Sequence, residues 1–142
     1  GSSRGGGLHA LLWVQRMFPE HFRNFIFVSA RTVDAHSYGG NEDVKMMQME
    51  ADVALTYFVN FCNSKGWAAK SRLAFGTDPV DEAVKLAQQM HEEFPNCMFF
   101  ASKLVFQSEN WLIRLLHNEA ALAIQRRLHL QGLQMVILPM KI

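Results

Sequence analysis

The sequence predicts an α/β fold, a three-layer sandwich with a mostly parallel sheet of four or five strands. Three observations carry this expectation. Helix-like and strand-like segments alternate strictly from Leu8 to the C-terminus. Three of the strand-like segments, 25–28, 97–101 and 135–138, are short continuous apolar runs, as strands covered on both faces require. The segments between them are long enough to cross over a sheet, which parallel pairing needs. At 142 residues, 49% of them apolar, the chain has the size and composition of a single domain spanning 1–142 with a core of its own.

The elements follow in order. Gly1 to Gly7 is Gly/Ser-rich and reads as a flexible start, with Gly5, Gly6 and Gly7 a weak candidate phosphate cradle. Leu8, Leu11, Leu12, Val14 and Met17 have helical spacing, and Pro19 ends that helix. Phe25-Ile26-Phe27-Val28 is the first strand. A polar loop runs from Thr32 to Gly40. Asn41 then caps a long helix with Glu42 and Asp43 in its first turn, and Gly66 stops it. Residues 68–75 alternate as a second, less buried strand. Gly76-Thr77-Asp78-Pro79 is the clearest turn: Asp78 caps, Pro79 takes the first helical position, and Asp81 and Glu82 follow. After Pro95 comes the strand 97–101. Ser108 caps a helix from Trp111 to about Leu130, with Arg126, Arg127 and His129 near its negative end. Gly132 stops it, and Met135-Val136-Ile137-Leu138 is the last strand, with Pro139 near its end.

Several function classes are disfavoured. The net charge is +1 with acids and bases interspersed, so no basic stripe marks a nucleic-acid binder. Cys62 and Cys97 are too few for a disulfide framework and read as reduced core thiols. No apolar run approaches the ~20 residues that span a bilayer. The six histidines lack metal-ligand spacing. Asp34 and His36 could pair as acid and base, but no nucleophile stands in register and no Gly-x-Ser-x-Gly turn occurs. Met46, Met47 and Met49 read as core and surface packing on one helix, with a soft-metal or adaptable binding stripe as the alternative. The expectation is a protein that is not an enzyme, with no metal and no obligatory cofactor.

Ligands of open α/β sheets bind beyond the carboxyl ends of the strands. Three groups of candidate ligand-binding residues occupy those positions: Asp34, Gly39 and Gly40; Gly76, Thr77 and Asp78; Ser102 and Lys103. Glycines there would admit a ligand to the backbone, a helix N-terminus would favour an anion, and Lys103 would meet a phosphate. Yet from Thr77 to Gln131 there is no Gly at all. The helix at Trp111-Leu112-Ile113-Arg114-Leu115-Leu116-His117 and the final strand are so apolar that each needs a partner surface, which suggests a homodimer.

The order of elements from Phe25 to Ile142, with the Gly76-Thr77-Asp78-Pro79 turn and the last strand at Met135–Leu138, resembles the universal stress proteins, a Rossmann-like fold. Their phosphate motif, Gly-x-x-Gly and a later Gly-Ser, would fall on Ala101-Ser102-Lys103-Leu104 and near His117-Asn118, where no Gly stands. A narrower resemblance covers nearly the whole chain. Residues 7–19 and 22–29, with 99–106, 115–119 and 123–128, are similar to the cytosolic C-terminal domain of bacterial permeases of the amino acid–polyamine–organocation transporter superfamily. This resemblance implies a soluble regulatory and dimerisation domain on the cytoplasmic side of the inner membrane, carried by its own transporter domain upstream. It also implies a nucleotide such as ATP, AMP or cyclic di-AMP as the ligand to test. In such domains a central strand precedes the first helix. The sheet would therefore be repaired by the N-terminal segment or a neighbour, or completed by a strand encoded before Gly1. The alternative reading is a stand-alone universal-stress-type nucleotide-binding protein with a degenerate phosphate motif. A small α/β enzyme is a distant third.

Overall fold

The computed structural model describes residues 2–32, 41–105 and 111–141. The chain runs α1 (Ser2–Met17), β1 (Asn24–Thr32), α2 (Asn41–Ser64), β2 (Ala68–Gly76), α3 (Pro79–Glu93), β3 (Phe99–Val105), α4 (Trp111–Leu130) and β4 (Met135–Lys141). The expected alternation is therefore present, and the protein is α/β. The strands, however, form two small parallel sheets of two strands each, β1 with β2 and β3 with β4. The single sheet of four or five strands anticipated from the sequence is not seen. Each strand pairs with the one reached across its own helix, the contact that costs least loop closure.

The chain divides into two compact units: Glu20–Leu86, and Gly1–Pro19 together with Ala87–Ile142. In the first, β1 and β2 pair over nine positions, from Asn24 opposite Ala68 to Thr32 opposite Gly76. α2 joins them and packs on both. Its core face is Ala51, Leu55, Phe58 and Cys62, all buried, at spacings of four, three and four that keep them on one side of a helix. Phe58 stacks on Phe27 of β1 at 5.1 Å between ring centroids. Trp67 lies 5.7 Å from Phe25 and 6.5 Å from Phe61, closing the end of this layer. Val84 and Leu86 of α3 are buried as well.

In the second unit β3 and β4 pair over seven positions, from Phe99 opposite Met135 to Val105 opposite Lys141. Both α1 and α4 pack on this sheet. α1 contributes buried Ala10, Leu11 and Val14, α3 contributes Ala87 and Met90, and Leu128 of α4 is almost wholly enclosed. The Gln125 side-chain amide donates to the Met135 carbonyl at 2.9 Å, tying α4 to the start of β4.

α2 and α4 end in the same way. Gly66 has φ 79° and Gly132 φ 80°. Gly66 N–H donates to the Asn63 carbonyl and Trp67 N–H to the Cys62 carbonyl. Gly132 N–H donates to His129 and Leu133 N–H to Leu128. These are paired Schellman closures, in which a left-handed residue without Cβ lets the chain reverse and satisfy the last carbonyls.

Three expectations need correction. The first helix begins at Ser2, not Leu8, so Gly5, Gly6 and Gly7 are helical rather than a flexible start or an open phosphate cradle. Being helical, the N-terminal segment does not repair a sheet. β3 runs on to Val105 and β4 to Lys141, with Pro139 inside the strand opposite Lys103. A proline is tolerated in a strand whose outer edge has no ladder to maintain.

Candidate functional site

β1 and β2 end level with one another, Thr32 opposite Gly76, so their carboxyl ends share one rim. The residues that follow β1, including Asp34, Gly39 and Gly40, lie outside the described residues. The residues that follow β2 are well defined. Asp78 is the N-cap of α3: its Oδ1 accepts Val80 N–H at 2.9 Å and Asp81 N–H at 3.4 Å. Pro79, which has no N–H to satisfy, fills the first helical position, and Glu82 N–H donates to the Asp78 carbonyl at 3.1 Å. The end of the helix that would attract an anion is thus engaged by the protein's own carboxylate.

Gly76 has a second role here. A Cβ at this position would overlap the Cγ, Cδ and Oε1 atoms of Glu82, whose side chain lies directly over the glycine. The missing side chain makes room for a glutamate, not for an external ligand. Glu82 in turn accepts from Lys85 Nζ at 3.4 Å. Lys85 is mostly exposed, and an exposed pair one helical turn apart contributes little to stability. Thr77 and Asp78 themselves are exposed.

Near the same end of β1, one residue before Thr32 and opposite Phe75, stands Arg31. Its Nε is buried and has no hydrogen-bond partner among the described residues. Sequence reasoning passed over Arg31 and placed Glu82 only as an acidic residue in the first turn of its helix. An acidic residue one turn into a helix capped by Asp78 can fold back over a preceding glycine, but the residue types alone do not require it to.

Ser102 and Lys103 were expected in a loop after a strand. They lie within β3, opposite Leu138 and Pro139, and belong to the other compact unit. Of the proposed nucleotide set, Gly76, Thr77 and Asp78 form one turn of the first unit, and Ser102 and Lys103 are strand positions of the second.

The cysteines read as core thiols are both free. Cys62 is fully buried, and desolvation pushes its thiol from 9.0 up to about 11. Cys97 is half-buried; burial also raises its pKa, opposed in part by a backbone hydrogen bond. A thiol held neutral is a packing group, not a nucleophile. Among the described residues no three His, Cys, Asp or Glu side chains gather as metal ligands. Nor is any helix among them long and apolar enough to cross a membrane. Compared with protein-family models, curated proteins and solved structures, the chain matches none.

Proposed function

We propose that this chain is a non-catalytic regulatory and dimerisation domain of a membrane permease for amino acids or cations, held on the cytoplasmic side of the membrane. The observation that carries the reading is the state of the β2–α3 turn. A turn that serves phosphate presents bare backbone N–H groups at a helix N-terminus. Here Asp78 accepts from those groups and Glu82 covers the glycine. Two carboxylates at the rim repel a nucleotide's phosphates and stabilise the helix start instead. The lack of glycine in the segment similar to a phosphate motif, Ala101-Ser102-Lys103-Leu104, points the same way, since Leu104 would hinder close backbone approach. The same reading includes the finer fold, a universal-stress-protein-like three-layer sandwich of four or five strands.

Titration calorimetry with ATP, AMP and cyclic di-AMP tests the ligand side. ATP and AMP are expected to give no binding heat. Tight ATP binding lost on Lys103→Ala would overturn the reading in favour of a stand-alone nucleotide sensor. The coding sequence ahead of Gly1 tests the partner side. A series of apolar segments, each of ~20 residues, is the expected result. A start codon close to Gly1 would remove the transporter from the proposal.

A further inference from the structure

α2 carries two apolar faces. The inner one, Ala51 to Cys62, is spent on β1 and β2. The outer one is Met46, Met49 and Val53, which are 63%, 67% and 57% exposed. Helix geometry places this stripe opposite the core face, and its spacing of three and then four is that of a helix–helix seam. Asn60, also exposed, continues the stripe seven residues after Val53. Met46 and Met49 are large unbranched side chains that suit a surface able to repack against a partner.

We infer that this outer face of α2 is the seam of a parallel helix pair formed with a second copy of the chain. The charges beside the stripe complement a second copy of the same face, and Asn60 bears on the direction. Exposed Lys45 flanks one side and exposed Glu50 the other. In a parallel pair a residue on one flank meets the partner residue five positions later on the opposite flank. That brings Lys45 against the partner's Glu50, and the two-fold axis repeats the contact, so one surface is complementary to itself. An antiparallel pair would set like flanks together, bringing Glu50 towards the partner's Glu50 and Lys45 towards the partner's Asp52, so charge alone leaves the direction to Asn60. Asn60 lies at the C-terminal end of the stripe, in line with Met46 and Val53 at seven-residue spacing, where an asparagine facing its own copy favours a parallel, two-stranded register at some loss of affinity. From Met46 to Asn60 the seam is about 21 Å long, and with three apolar residues on each copy the pair is expected to have a dissociation constant in the micromolar range or weaker. This surface is distinct from the last strand and the 111–117 helix face, and the inference does not depend on the proposed transporter role.

Sedimentation equilibrium on the full chain, from micromolar to millimolar concentration, reads the dimer. The wild type is expected to dimerise reversibly. Met49→Lys, at an exposed position that leaves the core intact, is expected to give a folded monomer by circular dichroism. Lys45→Glu and Glu50→Lys should each weaken association several-fold, and the double variant should restore it. Asn60→Cys is expected to cross-link to its own copy under a copper–phenanthroline oxidant, with the 60–60 linkage identified by peptide mass so that Cys62 and Cys97 are not mistaken for it. A monomer at millimolar concentration overturns the inference. So does a dimer indifferent to Met49→Lys. Rescue of Lys45→Glu by Asp52→Lys rather than by Glu50→Lys would indicate an antiparallel pair and overturn the register.

Discussion

The segments β1–α2–β2 and β3–α4–β4 are built on one plan and finished differently. Each is a parallel strand pair joined by a helix that packs on both strands and ends in a glycine near φ +80° with the same pair of closing hydrogen bonds. The first has nine-residue strands and a 24-residue helix; the second has seven-residue strands and a 20-residue helix. The second also receives α1 on its sheet. In the first, α2 has an aromatic-rich inner face and leaves an apolar outer face exposed. A two-stranded parallel sheet is too small to stand without covering elements. The difference therefore teaches where stability comes from: stacked rings beneath one helix in the first case, layers of aliphatic side chains from three helices in the second.

Core truncations should separate the two most strongly. Phe58→Ala removes a ring buried against Phe27 and is expected to cost about 3–5 kcal/mol. Leu128→Ala, at a position of α4 that is almost wholly enclosed, is expected to cost about 2–5 kcal/mol. Native-state hydrogen exchange checks the comparison. Phe58→Ala should lower protection chiefly within residues 20–86, and Leu128→Ala chiefly within 1–19 and 87–142. Uniform loss across the chain from either change would mean that the two units unfold as one.

The cysteines offer the next test. The Cys62 thiol stays neutral to about 11 when folded, against 9.0 when solvated. Between those values the unfolded chain loses its proton first. The contribution is therefore complete below pH 9 and is lost as pH rises towards 11, by about 2–3 kcal/mol in all. Denaturant titrations at pH 8 and pH 11 measure it, and Cys62→Ala should flatten that part of the profile. Cys97 is raised in the same direction but is half-buried. A thiol reagent at pH 8 should therefore label Cys97 in the native protein and Cys62 only on unfolding. Equal labelling rates would contradict the burial difference.

Much of this plan was legible in the residues. Gly66 and Gly132 follow long helical segments and read as stops, and Asp78-Pro79 reads as a helix start because cap chemistry is local. Strand ends were less legible. Ser102, Lys103 and Pro139 look like loop residues by type, and pairing between β3 and β4 overrode that preference. Gly5 to Gly7 failed for the same reason: local flexibility predicts an open segment, while packing of Ala10, Leu11 and Val14 on β3 and β4 favours the helix they lead. The turn at Gly76 was found but its purpose was not, because a sequence does not say whether the space over a glycine belongs to a ligand or to Glu82.

The two Schellman glycines sharpen the comparison further. Nothing lies within 4 Å of a Cβ built at either Gly66 or Gly132, so the cost of substitution is conformational alone. Gly66→Ala and Gly132→Ala are each expected to destabilise by about 1–2 kcal/mol. Thermal denaturation should return values close to one another. A much larger loss at one site would show that the matched geometry conceals unequal surroundings.

α1 breaks the pattern, and it supplies the smallest effect. It ends at Met17, with Phe18 N–H still donating to the Val14 carbonyl at 2.9 Å, and the chain then turns through Pro19 into Glu20. Glu20 has φ 62°, the left-handed conformation that the other two turns give to glycine. A glutamate there is strained by its Cβ, whereas glycine would relieve the strain but gain freedom in the unfolded chain. The two effects partly cancel, so Glu20→Gly is expected to stabilise by about 0.5–1 kcal/mol, read as a small rise in the denaturant midpoint. A fall instead would mean that the glutamate side chain contributes an interaction at this joint worth more than its backbone strain, and that α1 is closed by that side chain where α2 and α4 are closed by glycine.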